Sequence, residues 1–160
     1  MISQGDDAYR RGLYTFWRRT SLHPMFALFD APSREECTVV RSRTNTPLQA
    51  LVTLNDPTFV EAAGAFARRV LMEGPADLEG RISFAFRAAL ARKPDDQEMQ
   101  VVKTRYRLLL EHYRKDTEAA AKVVGAVKNM GPRKLDAAEH AAWTGLANLI
   151  LNLDETLTRE

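Results

Sequence analysis

Two prolines set ten positions apart, each directly behind a capping residue, constrain this chain more than any other feature. Thr46-Pro47-Leu48-Gln49 and Asp56-Pro57 both read as helix starts. Proline suits the first helical position, where no intrahelical N–H partner is needed and its fixed φ already matches the helix. Thr46 can cap with its hydroxyl, and Gln49 can reach back to the Thr46 N–H to close a capping box. The residue before a proline is pushed out of the helical region. Asp56 therefore ends the first helix and caps the second. The first helix is confined to about Pro47 to Leu54. Leu48, Ala50, Leu51, Val52 and Leu54 make it apolar on most sides, which predicts a buried helix.

Arg41, Arg43, Thr44 and Asn45 stand in front of this corner. Arginine carries five donors in a rigid fork and keeps its charge. One reading has these residues tying loops together through backbone carbonyls and Asp30, Glu35 or Asp56. Buried ties of that kind would cost about 1–3 kcal/mol on Arg43→Ala or Asn45→Ala. The other reading is an anion pocket made of Arg41, Arg43 and free N–H groups at a helix N-terminus. Pro47 and Pro57 each remove one such donor. Arg41, Arg43, Thr44, Asn45 and Asp56 thus form the candidate polar or anion-binding cluster.

The rest of the chain reads as helices punctuated by proline and glycine. Asp6 and Asp7 can open a helix over Ala8–Arg19, with Tyr9, Leu13, Phe16 and Trp17 on one face. His23-Pro24 starts a short helix to Phe29, and Asp30-Ala31-Pro32 ends it. Ser33-Arg34-Glu35-Glu36 fits a capping box or a simple turn. Cys37–Val40 is the one β-like run, too short to imply a sheet. Further helices are expected over Pro57–Met72, Leu78–Ala91, Asp95–Arg114, Thr117–Asn129 and from Asp136 to the C-terminal region. Asn148 and Asn152, four apart, are placed to bond across to another helix. The expectation is an all-α, irregular multi-helix domain of about six to eight helices with short Pro/Gly connections. It is read as a single domain over 1–160, with an irregular half (1–74) and a regular helical half (75–160) meeting at Gly74–Asp77.

Composition narrows the function classes. The 160 residues are 45% hydrophobic and 28% charged, with a net charge of +2. That charge is too small, and too evenly spread, to argue for nucleic acid. No apolar run has the length of a membrane span. Cys37 is the lone cysteine, so neither a disulfide, a zinc cluster nor a Cys-x-x-Cys-His haem attachment can form within the chain. It is expected as a small buried hydrophobe. His23, His112 and His140 fall on different predicted elements, so neither metal nor cofactor is expected on this chain. The N-terminus lacks the apolar core of a signal peptide, which on its own predicts a cytoplasmic protein.

Several strings, taken together, resemble one family. They are LYTFWRRT (Leu13–Thr20), FDAPSRE (Phe29–Glu35), RTNTPLQAL (Arg43–Leu51), LNDPxFVEAA (Leu54–Ala63) and the tail LNLDE (Leu151–Glu155). They look like the C-terminal domain of unknown function of planctomycete-type secreted proteins that often carry a cytochrome c-like module. Gly12 stands where that pattern has a serine. The resemblance implies that the chain is the C-terminal part of a larger exported protein. Haem, if any, would then sit in upstream modules. It implies no catalytic residue.

Two functions are weighed. One is a non-catalytic module that packs against upstream domains or a separate protein partner, with Tyr14, Phe16, Trp17, Phe26 and Phe29 as the candidate interface. The other is a hydrolase-like domain acting on extracellular polymer through Arg41, Arg43, Asn45 and Asp56, with His23 as a further candidate base.

Overall fold

The computed structural model describes residues 11–18, 21–33, 35–127 and 135–158. The fold is all-α, with eight α-helices and no strand among these residues. The chain divides into two compact units, Met1–Thr44 and Asn45–Glu160. The division falls thirty residues before the Gly74–Asp77 loop.

Within the N-terminal unit, the helix expected over Ala8–Arg19 is not present in its described part. Residues 11–18 hold only a 3-10 turn, Gly12–Tyr14, and Thr15 is extended. The local cause is Gly12, which weakens a helix and lies so close to the Phe26 ring that a Cβ would meet it at 2.8 Å. Trp17 stacks on that same ring at 4.9 Å. Tertiary packing on Phe26 has replaced the helical stripe. Helix α1 spans Pro24–Leu28. Glu35 N donates to the Ser33 hydroxyl, and Glu35 and Glu36 form a bend with no helix. Cys37–Val40 forms no strand and is exposed throughout. Cys37 is thus a free, exposed thiol and not the buried hydrophobe expected, because this short run has no neighbouring strand to cover it.

The C-terminal unit contains α2 (Pro47–Asn55), α3 (Pro57–Glu73), α4 (Leu78–Leu90), α5 (Asp96–Lys115), α6 (Thr117–Gly125), α7 (Ala137–Leu151) and the four-residue α8 (Asp154–Leu157), which the sequence did not suggest. Caps set most of the starts. The carboxylates of Asp56, Asp77, Asp95, Asp116 and Asp136 each accept a backbone N–H two or three residues on, satisfying a donor that the helix leaves unpaired. At the other end of α4, Ala91 takes the left-handed conformation at φ 59° and closes the helix. The part of the expected α6 that runs beyond Val127 lies outside the described residues.

The core is built around α7, which packs on α3, α5 and α6 and also meets α2, α4 and α8. Trp143, Leu146, Ala147 and Ile150 meet Ala63, Ala67, Val70 and Leu71 of α3 and Ile82, Ala85 and Phe86 of α4. Since α3 and α4 share this core, the Gly74–Asp77 loop joins two parts of one body. The helix buried on most sides is therefore α7. Even its His140 and Thr144 are buried: the His140 ring Nε2 pairs with the Gly64 carbonyl at 3.0 Å, and the Thr144 hydroxyl donates to His140 O. Small residues permit this density. A Cβ on Gly64 would meet Val127 Cγ2 at 2.1 Å.

The expectation for α2 is overturned. Its buried side chains are Gln49 and Thr53, whereas Leu48, Leu51 and Leu54 are exposed. Gln49 Oε1 accepts the Thr46 N–H at 2.8 Å, completing the capping box. The Thr53 hydroxyl lies within reach of the Gln49 and Ala50 carbonyls and donates to Oδ1 of Asn152, the residue that closes α7. Asn148 Nδ2 donates to the Leu54 carbonyl. The two asparagines do reach across to another helix, and polar pairing with them turns the leucines outward.

Candidate functional site

Of the sequence-derived cluster, Arg41 and Thr44 converge on the end of α1. Arg41 Nε donates to Asp30 O at 2.8 Å and its Nη2 to Phe29 O at 2.6 Å. These are carbonyls just past the end of α1, where cations are favoured. Asp30 takes the left-handed conformation at φ 57°. Its Oδ2 accepts both the Thr44 N–H and the Thr44 hydroxyl at 2.8 Å. Asp30 is thus the hub of this group. Arg43 is exposed.

Asn45 and Asp56 are used elsewhere. Asn45 Nδ2 donates to Asp154 Oδ1 at 2.6 Å. Asp56 Oδ1 accepts the Thr58 N–H at 2.8 Å as the cap of α3. Arg43 and Asn45 are exposed, so the buried ties expected at these positions are surface ones. The His23 ring tilts against Phe26 at 5.3 Å and makes no capping bond. Among the interface candidates, Trp17, Phe26 and Phe29 are half-buried, while Tyr14 and Phe16 are exposed, Phe16 at 80%.

The sequence reading missed two groups. The first is the outer face of α2, where Leu48 and Leu51 are each 57% exposed. Its signal was present in Asn148 and Asn152, which need a polar partner face. The second is the ion cluster on Arg92, which follows α4. Its Nη1 and Nη2 donate to the two oxygens of Glu98 at 2.7 and 2.6 Å, and its Nε and Nη2 to Glu155 at 2.7 and 2.9 Å. Arg92 also lies over the Phe86 ring at 5.5 Å. The Arg92 hydrogen bonds hold the Glu98 carboxyl down to about 2, outweighing the burial that pushes it up. Glu155 is lowered by the same partner, and Arg92 is raised by both, Glu98 first. Deeper in, the Tyr106 phenol is pushed up by burial and by Glu139, with Arg81 and the Trp143 indole opposing. Arg81 and Glu139 pair at 2.7 Å. The Trp143 Nε1 is buried and makes no regular hydrogen bond among the described residues.

Among the described residues no group of three His, Cys, Asp or Glu is placed to hold a metal ion. No described helix is long and apolar enough to cross a membrane. No curated protein and no solved structure matches the chain. A family model does match, over residues 2–106, from ahead of the aromatic strings through the Thr46–Asp56 corner into α5. The tail string LNLDE lies beyond it. On that match the chain belongs to PSD1, the family described as protein of unknown function (DUF1553).

Proposed function

We propose that this chain is a non-catalytic helical module that docks a partner domain through the outer face of α2. The observation that carries the reading is the reversed polarity of that helix. Gln49 and Thr53 fill its inner side with satisfied polar groups, and Leu48, Leu51 and Leu54 stand outward. A ridge of leucines left in water while polar side chains occupy the core side is the pattern of an interface. The exposed Tyr14 and Phe16 of the N-terminal unit support the same reading.

The partner we propose is an upstream domain of a larger exported protein associated with a cytochrome c-like module. Haem would belong to that module. In this chain His140 spends its Nε2 on the Gly64 carbonyl inside the core, and Cys37 is a lone thiol. The hydrolase alternative is not taken up, since Asp56 serves α3 as its cap and Arg41 serves the end of α1.

The test is site-specific photo-crosslinking in cells that make the intact parent protein. A reactive side chain at Leu51 should give one discrete adduct, and one at exposed Ala62 on α3 should give none. Leu48→Glu should abolish the adduct without changing the melting temperature. Equal background at both positions, or an adduct that survives Leu48→Glu, would overturn the proposal.

A further inference from the structure

A groove of about 470 Å³ runs between α5 and α7, separate from the outer face of α2. Phe86, Val102, Leu146 and Ile150 form its floor, continuous with the core. Val101 on one wall is 68% exposed, and Leu149 and Leu153 on the other are also exposed.

The charged residues on its rim are not equivalent. Asp95 is committed to capping α5, accepting from Glu98 N at 2.7 Å. Glu98 is committed to Arg92 and to the Asp95 N–H. Arg105 makes no ion pair among the described residues and is exposed. The groove therefore offers an apolar floor, apolar walls standing in water and one uncommitted cation.

We propose that this groove seats an amphipathic helix of a partner protein, whose apolar face carries an acidic residue opposite Arg105. Charge complementarity selects the acid, because Glu98 is already paired with Arg92 and Asp95 is spent on the α5 cap, whereas Arg105 is the rim charge left for a partner. The dimensions select a helix. From Gln97 to Arg105 the α5 wall extends about 12 Å, which accepts roughly two turns with anchors at i, i+3 or i+4 and i+7. A slender acyl chain would fill the floor and leave the Val101, Leu149 and Leu153 walls in water. A second copy of the chain does not fit either: a two-fold contact would face one concave groove, and one Arg105, with another.

The test is selection of a displayed library of helix-forming peptides against the full chain, followed by amide chemical-shift mapping. The expected result is a set of amphipathic helices enriched in Asp or Glu, shifting the amides of Val101, Arg105, Leu149 and Leu153. Arg105→Glu should weaken their binding by roughly tenfold or more, and Val101→Asp should abolish it. Both positions are exposed, so the fold should melt unchanged. Leu48→Glu should leave peptide binding intact, which separates this site from the α2 interface. The proposal is overturned if no helix maps to the groove, or if the selected peptides lack an acidic bias and ignore Arg105→Glu. It is also overturned if sedimentation shows a dimer of the chain alone that Val101→Asp dissociates.

Discussion

Asn45 and Asp154 are 109 positions apart in the chain, and their side chains meet at 2.6 Å. Asp154 Oδ1 also accepts from the Thr158 hydroxyl at 3.0 Å. One hydrogen bond thus ties the residue ahead of the Thr46 cap to α8. Because Asn45 is exposed, its loss should be modest. Asn45→Ala is expected to lower stability by about 0.5–1.5 kcal/mol, as for an ordinary hydrogen bond. Urea denaturation would read this as a shift in midpoint at constant slope. A loss of several kcal/mol would mean the pair is buried.

The reversed polarity of α2 makes an unusual prediction about hydrophobic and polar substitutions. Thr53→Val keeps shape but removes the hydroxyl that meets Asn152, and should cost about 1–3 kcal/mol. Leu51→Gln, on the exposed side, should change stability by no more than about 0.5 kcal/mol. Thermal melts of the two variants should fall in that order. The opposite order would place the leucines inside.

Gly64 is fixed by packing. Adding a methyl group there collides with Val127 Cγ2, and overfilling of this kind costs about 1–3 kcal/mol. That exceeds the gain of roughly 1 kcal/mol in helix propensity from glycine to alanine. Gly64→Ala should therefore destabilise the protein, and its penalty should shrink in a Val127→Ala background. A double-mutant cycle measures the coupling. Additive effects would remove the Val127 contact as the cause.

Acid stability should depend on Arg92 and Glu98. The folded-state pKa of Glu98 is depressed from the usual 4.5 to about 2. A depressed acid contributes stability above its unfolded value and loses it as pH falls through the folded one. The loss should therefore run from about pH 4.5 down to about 2. Glu98→Gln should be less stable near neutrality and flatter across that window, while keeping an oxygen for the Asp95 N–H. Parallel pH profiles for the two proteins would show that the pair carries no such linkage.

The helix starts were legible because caps are local. Thr46, Asp56, Asp77, Asp95 and Asp136 act within three residues of themselves, so the sequence around each one suffices. The side that a helix presents is decided by distant residues. Leucines at 48, 51 and 54 suggest burial until Asn148 and Asn152, a hundred positions on, claim the polar side of α2. The same limit explains Gly12–Arg18, where packing on Phe26 displaced the expected helix. For the polar cluster, the residue types predicted hydrogen-bonded ties. Asp30 is one of the three acceptors expected for them, and it gathers Arg41 and Thr44, while Asp56 caps α3 as its place before Pro57 implies. The distant partner of Asn45, Asp154, has no local signal.

The orientation of α2 is the point on which the docking account stands, and thiol labelling tests it most directly. In a Cys37→Ser background, single cysteines at positions 48, 49, 51 and 53 would be timed against a thiol reagent. The account predicts fast labelling at 48 and 51 and slow labelling at 49 and 53 in the isolated chain, with 48 and 51 becoming protected in the intact parent protein. Fast labelling at 49 and 53, or equal rates at 48 and 51 in the chain and in the parent, would contradict it.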